Sequence, residues 1–186
     1  MSRAAFRSGL SLLLGLLLSL GAAASRADAE APLEKRVKAA FLYKFASYVG
    51  WPEGVFAAPD SPLVFGVLGD RSIAEELDRA AGGRSIEARP LRVKVLSDGD
   101  DFADVNVLFV GTGTALVEAL RAADARPMLV VTEAESALTK GSVINFIVVD
   151  GRVRFEISTT GAEQRGLKLS SRLLAVAYNL RPEEVR

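Results

Sequence analysis

The sequence predicts an α/β fold: a single three-layer domain with a mixed, mostly parallel sheet, helices on both faces, and a C-terminal β-hairpin plus helix. Three observations support this prediction. Short uncharged apolar runs, which are typical of buried parallel strands, recur along the chain. Segments with apolar residues at helical spacing separate them. Asp150-Gly151 stands between two apolar runs, as in a two-residue hairpin turn. Strand–helix–strand units of this kind place helices on both faces of a sheet.

An N-terminal segment with the features of a secretory signal precedes this domain. Arg3 and Arg7 give it a basic start, and Ser8–Ser25 then contains no charge and is rich in Leu. This run is shorter than the ~20 apolar residues of a membrane-spanning helix, and small residues follow it. We therefore expect a signal peptide at residues 1–27, a single domain at residues 28–186, and export to the periplasm. Cleavage is expected after one of three alanines: Ala24, Ala27 or Ala29.

The composition excludes several classes of function. The chain has 186 residues, of which 23 are cationic and 23 acidic, and it contains no Cys and no His. Loss of Arg3, Arg7 and Arg26 with the signal peptide leaves 20 cationic residues against 23 acidic ones, a net charge of −3. A mildly acidic domain without a basic cluster has no electrostatic footprint for nucleic acid. Without Cys or His, the chain lacks disulfides, a lipid-anchoring cysteine, and the commonest metal ligand and general base.

Helix signals and apolar runs predict the elements before the hairpin. Residues 34–49 have helical spacing, and this helix should end before Pro52, because a residue that precedes proline avoids the α region. Ser72 and Glu75 have capping-box spacing at the start of a second helix, which should end at Gly82. Strands are predicted at Leu63–Leu68, Leu91–Leu96, Val105–Val110 and Met128–Thr132, a helix near residues 115–123, and a short helical turn at Glu135–Lys140.

The hairpin and the segment after it complete the predicted fold. Ser142–Val149 is apolar on both faces, so this strand is expected in the middle of the sheet. Arg152–Ile157 alternates apolar with charged residues, so this strand is expected at or near an edge. The last segment, Ala162–Leu180, is predicted to be mostly helical, with a break at Gly166.

A glycine-containing turn between a predicted strand and helix is the first candidate for ligand binding. Such turns can hold a phosphate on backbone amides, and an acid, Glu133, follows the next strand. Leu116 stands where a dinucleotide-binding fingerprint has its third glycine, so we favour a tight turn with Thr114 as N-cap. The one Trp is interpreted as core packing or, alternatively, as the aromatic edge of a partner site or pocket. The ligand-binding candidates are Trp51, Gly111, Thr112, Gly113 and Thr114.

Catalytic candidates are few. Ser170 and Ser171 would need a positioned base, and without His only a lysine or an acid could serve. Four acids gather in one predicted turn, but they lack the glycine and the bidentate acid of a calcium loop, so a solvated turn explains them better. These acids are Asp98, Asp100, Asp101 and Asp104. We therefore expect no enzyme activity, no metal and no cofactor.

Four motifs, taken in order, give the chain a resemblance to a known family. They begin at Lys38 (KAAFLYKF, followed by Trp51-Pro52), Leu63 (LVFGVLG), Ile144 (INF, then VRFEI) and Gly166 (GLKLSSRLL). The chain resembles the YfiR family of periplasmic proteins over about residues 34–180. The resemblance implies a periplasmic α/β domain that often forms homodimers and is not known as enzymatic.

The resemblance also implies a regulatory role. The best understood members bind the periplasmic portion of an inner-membrane diguanylate cyclase and restrain it, which lowers cyclic-di-GMP and opposes biofilm formation. An outer-membrane lipoprotein can draw such a repressor away. The resemblance does not identify the partner of this chain, because it does not tie the family to a single membrane sensor. Some relatives carry paired cysteines, and this chain has none, so disulfide-linked redox control does not apply here.

For partner binding we favour charged residues of the hairpin and the C-terminal segment, with Leu169 as an apolar centre. A solvated surface with ordinary charges is the alternative interpretation. Two other functions stay open: a periplasmic small-molecule-binding protein with a pocket near Gly111–Thr114, and a hydrolase that uses Ser170 or Ser171. The partner-binding candidates are Arg154, Glu156, Glu163, Arg165, Lys168, Leu169 and Arg172.

Overall fold

The computed structural model describes residues 32–124 and 126–181. The chain divides into two units, residues 1–35 and 36–186, and of the first unit only the helical residues 32–35 are described. The predicted signal peptide and its cleavage sites lie outside the described residues. Within the described ranges, no helix is long and apolar enough to cross a membrane.

Helices and strands alternate through most of the chain, as predicted. The helices are α1 (residues 32–46), α2 (Arg71–Ala81), α3 (Leu116–Ala122), α4 (Thr159–Gln164) and α5 (Ser171–Ala175), with a 3-10 turn at Leu138–Lys140. The strands are β1 (Val49–Gly50), β2 (Leu63–Leu68), β3 (Ser85–Ile86), β4 (Arg89–Leu96), β5 (Val107–Val110), β6 (Leu129–Thr132), β7 (Ile144–Val149), β8 (Arg152–Ser158), β9 (Lys168–Leu169) and β10 (Asn179–Arg181).

An eight-stranded sheet has the strand order β10-β8-β7-β6-β5-β2-β4-β3. Its central strands β4, β2, β5, β6 and β7 run parallel to one another. Towards one edge, β8 is antiparallel to β7 and β10 is parallel to β8; at the other edge, β3 is antiparallel to β4. The predicted mixed, mostly parallel sheet is therefore confirmed. A separate two-stranded ladder joins β1 and β9.

Helices cover both faces of the sheet, as predicted. On one face, Phe109 packs in a core with Phe45 of α1 and Leu77 of α2; we call it the α1–α2 face. On the other face, Leu108 packs in a second core with Leu120 of α3; we call it the α3 face. Successive side chains of a strand point to opposite faces, so the fully buried strands fill both cores.

The N-terminus of α2 differs from the prediction. Its N-cap is Asp70, whose carboxylate accepts hydrogen bonds from the amides of Ser72 (2.9 Å) and Ile73 (3.2 Å). The predicted cap, Ser72, lies inside the helix. Asp is as good an N-cap as Ser, and Asp70 directly follows the Gly69 turn (φ 87°) after β2. The helix therefore begins two residues earlier than the capping-box spacing suggested.

The hairpin is confirmed, whereas the C-terminal segment contains less helix than predicted. Asp150 (φ 49°) and Gly151 (φ 68°) both have the positive φ of a type I′ turn. Strand β8 lies one position from the edge, because β10 pairs with it. The predicted break at Gly166 (φ 69°) ends α4, but β9, the short helix α5 and β10 follow instead of a long helix. Strands of two or three residues are too short to produce a recognisable period.

Candidate functional site

The turn after β5 lies where doubly wound sheets bind ligands. Its neighbours β2 and β5 are the strands between which the chain order reverses, and their carboxyl ends form the crevice. The Thr114 hydroxyl donates to the Gly111 carbonyl (2.9 Å). The N-cap of α3 is Ala115, which makes no side-chain hydrogen bond, so the predicted N-cap at Thr114 is wrong. A Cβ on Gly69 would overlap Thr114 Cγ2. Thr114 therefore packs against Gly69 at the mouth of this crevice.

A buried ion pair occupies the same edge of the sheet. Lys38 Nζ of α1 lies 2.6 Å from Glu133 Oε2, and the two side chains are only 8% and 12% exposed. The other carboxylate oxygen, Glu133 Oε1, accepts a hydrogen bond from the Thr112 amide (3.2 Å). A carboxylate thus binds one of the amides that would hold a phosphate and adds negative charge there. This geometry favours a structural turn that joins α1 to the sheet.

Trp51 lies near the opposite edge of the sheet. Its ring meets that of Phe56 edge-on at 6.0 Å, and the Arg89 guanidinium lies 3.8 Å above the Phe56 ring. Arg89 is the first residue of β4, so this aromatic group marks the amino ends of the parallel strands. Trp51 also packs partly against the α1–α2 core. The candidate ligand residues therefore belong to two separate places and do not form one pocket.

The predicted partner-binding residues of β8 lie on the α3 face. Arg154 and Glu156 alternate with Phe155, which is buried in the α1–α2 core, so their side chains point to the other face. Glu156 Oε1 accepts a hydrogen bond from the Asn179 amide group (3.3 Å). Leu169, in contrast, packs against the α1–α2 core. The seven predicted residues therefore do not form one continuous surface.

Arg165, which we predicted at a partner surface, is buried. Its guanidinium donates hydrogen bonds to the carbonyl groups of Ala123 and Gly141, the second at 3.1 Å. Burial lowers the pKa of Arg165, and the nearby Asp124 carboxylate opposes this shift. The side chain joins the end of α4 to the end of α3 and to the loop before β7. Arg165 thus has a structural environment, and Glu163 is the exposed charged residue of α4.

The β1–β9 ladder brings together candidates that the sequence had placed in separate groups. Gly50 pairs with Lys168 and Val49 with Leu169, so the Trp51-Pro52 segment begins beside Lys168. Gly166 also lies close to this segment, because a Cβ added to it would be 3.6 Å from Pro52 Cγ. Exposed Lys168 and Arg172, with the partly buried Trp51, Pro52 and Leu169, form what we call the β1–β9 surface. Two-residue strands carry no period, and no other sequence signal predicted this pairing.

Three acids of the acidic turn and Ser170 have structural contacts. Asp100 accepts a hydrogen bond from the Ser97 amide (2.8 Å), Asp101 pairs with Arg126 (3.3 Å), and Asp104 pairs with Lys94. The hydrogen bond from Lys94 lowers the pKa of Asp104. The Ser170 hydroxyl oxygen accepts from the Leu173 amide (3.3 Å) as the N-cap of α5. These contacts are a turn hydrogen bond, two ion pairs and a helix cap, all of which are structural roles.

Comparisons with known proteins identify relatives of the chain. A family model described as YfiR/HmsC-like matches residues 35–178. No curated protein matches the chain. A crystal structure of a conserved domain protein from Vibrio cholerae O1 biovar El Tor strain N16961 aligns with a TM-score of 0.48 and 16% identity. The alignment covers 63% of this chain and 54% of that chain, so our chain spans about half the length of that protein, and we base no argument on this likeness.

Proposed function

Because the chain belongs to the YfiR/HmsC-like family, we propose that it is a periplasmic, non-enzymatic regulator that binds and restrains an inner-membrane diguanylate cyclase or a similar sensor. The family match, which extends over residues 35–178, is the observation that carries this proposal. Restraint requires only that the regulator bind the inactive state of its partner more tightly than the active state, so no catalytic group is needed. An outer-membrane lipoprotein that competes for the regulator would relieve the restraint.

The β1–β9 surface is our candidate for the partner-binding site. Lys168 and Arg172 supply exposed cationic groups, and Trp51, which is partly buried, directly follows Gly50, the residue that pairs with Lys168. Trp and Arg are among the residue types that contribute most of the binding energy at protein interfaces. Arg154 and Glu156 on the α3 face form a second, separate set of candidates. No contact described above favours the alternative of a small-molecule-binding protein.

A reconstituted cyclase tests the proposal. A diguanylate cyclase encoded beside this chain is placed in lipid nanodiscs, which leave both of its membrane faces accessible, and GTP conversion to cyclic-di-GMP is measured with increasing amounts of the purified protein. We expect turnover to fall, and the double variant Lys168→Glu/Arg172→Glu to require at least tenfold more protein for the same effect. Arg152→Glu is the matched control, because Arg152 is an exposed cation of the hairpin. Unchanged turnover at saturating protein would contradict the proposal for that cyclase.

Export through residues 1–27 is part of the same proposal. N-terminal sequencing of the protein recovered from the periplasm should find Ser25, Asp28 or Glu30 as the first residue, one for each of the three cleavage positions. Recovery of the protein with Met1 intact would contradict a cleaved signal peptide.

A further inference from the structure

A strained turn leads into strand β4. Strands β3 and β4 pair Ile86 with Arg89, so Glu87 and Ala88 form a two-residue hairpin turn between them. Both have positive φ (50° and 65°), as in a type I′ turn, although neither is the glycine, asparagine or aspartate that such positions favour. Backbone strain of this kind persists only where the surrounding structure holds it, and it is most common at functional sites. The contacts of the residue that follows the turn are therefore informative.

That residue, Arg89, contacts three residues of the 51–62 loop, which connects β1 to β2 without helix or strand. Its guanidinium donates hydrogen bonds to the carbonyl groups of Ala58 (2.8 Å) and Ser61 (3.1 Å) and lies 3.8 Å from the centre of the Phe56 ring. A planar guanidinium can stack on an aromatic face and donate hydrogen bonds at the same time, whereas the ammonium group of Lys is a point charge. Arg89 thus holds the middle of the loop against the start of β4.

The same loop begins with Trp51. The rings of Trp51 and Phe56 meet edge-on with centroids 6.0 Å apart, and both pack partly against the α1–α2 core. Phe56 is therefore in contact with both Arg89 and Trp51. Trp51 in turn follows Gly50, which pairs with Lys168 in the β1–β9 surface. A series of contacts thus connects the strained turn to the candidate partner-binding site.

We propose that Arg89 is a positioning residue for partner binding: it holds Phe56 and the loop so that Trp51 keeps the orientation in which it contacts the partner. The inference rests on the proposed function, because it assigns Trp51 to the partner contact. A side chain that is already held in its bound orientation loses less conformational freedom on binding, so Arg89 raises the affinity without touching the partner. Loss of the Arg89 side chain should therefore weaken binding even though the β1–β9 ladder stays intact.

The fluorescence of Trp51 tests the positioning step without a cyclase. Trp51 is the only Trp in the chain, so the emission reports this one site. Arg89→Met keeps an unbranched side chain but removes the cation and its hydrogen-bond donors. In this variant acrylamide quenching should increase at least twofold, with an unchanged circular dichroism spectrum. Equal quenching in Arg89→Met and the unmodified protein would overturn the proposal.

Arg84→Met is the matched control. Arg84 is an exposed arginine that also lies over an aromatic ring, 5.7 Å from the centre of Tyr43, and Tyr43 is outside the 51–62 loop. Arg84→Met should leave the quenching of Trp51 unchanged. An increase equal to that in Arg89→Met would show that loss of any nearby arginine has this effect, and would overturn the specific role of Arg89.

The cyclase in nanodiscs tests the effect on binding. Arg89→Met should require at least fivefold more protein than the unmodified form for half-maximal inhibition, and Arg84→Met should require the same amount as the unmodified form. On a Trp51→Leu background, Arg89→Met should have no further effect, because Arg89 acts through Trp51. A variant that was only less stable, but folded at the temperature of the assay, would show neither the change in quenching nor this coupling.

The outcomes separate this proposal from the proposed function. Inhibition by the unmodified protein with an unchanged requirement in Arg89→Met, or with additive effects of Arg89→Met and Trp51→Leu, would overturn the role of Arg89 alone. A cyclase that the unmodified protein does not inhibit would contradict the proposed function, and the role of Arg89 in binding with it. If Arg89→Met fails to fold, Phe56→Leu, which removes the ring between Arg89 and Trp51, decides by the same two measurements.

Discussion

Arg165 and Arg172, two of the predicted partner-binding residues, differ in burial: Arg165 is buried and Arg172 is exposed. In its sequence context Arg165 is one more charge in a polar C-terminal segment, and no local signal predicts that it is buried. Its carbonyl partners at Ala123 and Gly141 come from segments 42 and 24 positions away in the chain. Contacts between residues so far apart in the chain depend on the topology of the whole domain. Local sequence therefore does not predict the environment of Arg165.

Arg165 and Arg172 should therefore respond differently to the same substitution. Arg165→Ala leaves buried carbonyl groups without their charged donor and should lower the free energy of unfolding by about 3 kcal/mol. Arg172→Ala removes an exposed side chain and should change it by less than about 0.5 kcal/mol. Denaturant titration of both variants measures the difference. Equal effects on stability would show that Arg165 is not held as described.

The Lys38–Glu133 ion pair is a second residue-scale test. Glu133→Gln keeps the shape of the side chain but removes the charge that faces Lys38 Nζ in a site almost closed to water. Disrupting a buried pair in this way should cost about 3 kcal/mol of stability. Glu135→Gln, an exposed acid two residues later, is the matched control and should cost less than about 0.5 kcal/mol. Equal melting temperatures for Glu133→Gln and Glu135→Gln would contradict a buried Lys38–Glu133 ion pair.

Asp104 should give the protein a small stabilisation that depends on pH. The hydrogen bond from Lys94 holds the pKa of Asp104 below its ordinary value. The stabilisation is therefore fully present above the unfolded-state pKa of about 3.9 and is lost as the pH falls through the lower pKa of the folded state. Both side chains are largely exposed, so its size should stay below about 1 kcal/mol. Asp104→Asn should be less stable than the unmodified protein at neutral pH and equally stable in strong acid, as measured by denaturant titration at each pH. The same difference in the free energy of unfolding at both pH values would contradict this prediction.

At the scale of elements, the contact between Gly69 and Thr114 fixes the turn after β2 against the turn after β5. Gly69 has a φ of 87°, and an added Cβ would overlap Thr114 Cγ2. Gly99 has a similar φ of 90°, with nothing within 4 Å of an added Cβ. Gly99→Ala should thus lower the free energy of unfolding by about 1 kcal/mol, because of backbone strain alone. Gly69→Ala should lower it by about 1–3 kcal/mol more, because the added Cβ also overpacks the contact with Thr114.

Removal of the clashing methyl group completes this test. Thr114→Ser keeps the hydroxyl that bonds to the Gly111 carbonyl but deletes Cγ2. In the double variant Gly69→Ala/Thr114→Ser, the extra cost of Gly69→Ala should largely disappear, and chemical denaturation measures it. Additive effects of the two substitutions would mean that these side chains do not meet.

The elements that the sequence predicts well are those whose burial pattern is long enough to recognise. Strand β2 has the bounds predicted from an uncharged run between Pro62 and Gly69, and all six of its residues are buried. The hairpin turn needs positive φ at two adjacent residues, and Asp-Gly supplies it. The C-terminal segment was predicted poorly, because β9 and β10 are two and three residues long and form only where partner strands are already present.

On the scale of the whole molecule, the topology decides which candidates can act together. The sequence predicted the α/β class, the mixed sheet and helices on both faces. It could not place Gly50, which precedes Trp51, beside Lys168, because β1 and β9 pair across more than 100 residues of chain. For the same reason it grouped Leu169 with Arg154, although the sheet separates them. Site residues that depend on non-local pairing are beyond what periodicity and local motifs can predict.

The central claim is that this protein restrains a membrane diguanylate cyclase from the periplasm, and cellular cyclic-di-GMP tests it most directly. The measurement compares the parent strain, a strain that lacks the protein, and that strain complemented with the full chain or with a form lacking residues 1–27. We expect cyclic-di-GMP to rise severalfold on deletion and to return to the parental level only with the full chain. Equal cyclic-di-GMP in all four strains, or restoration by the form that is not exported, would contradict the claim.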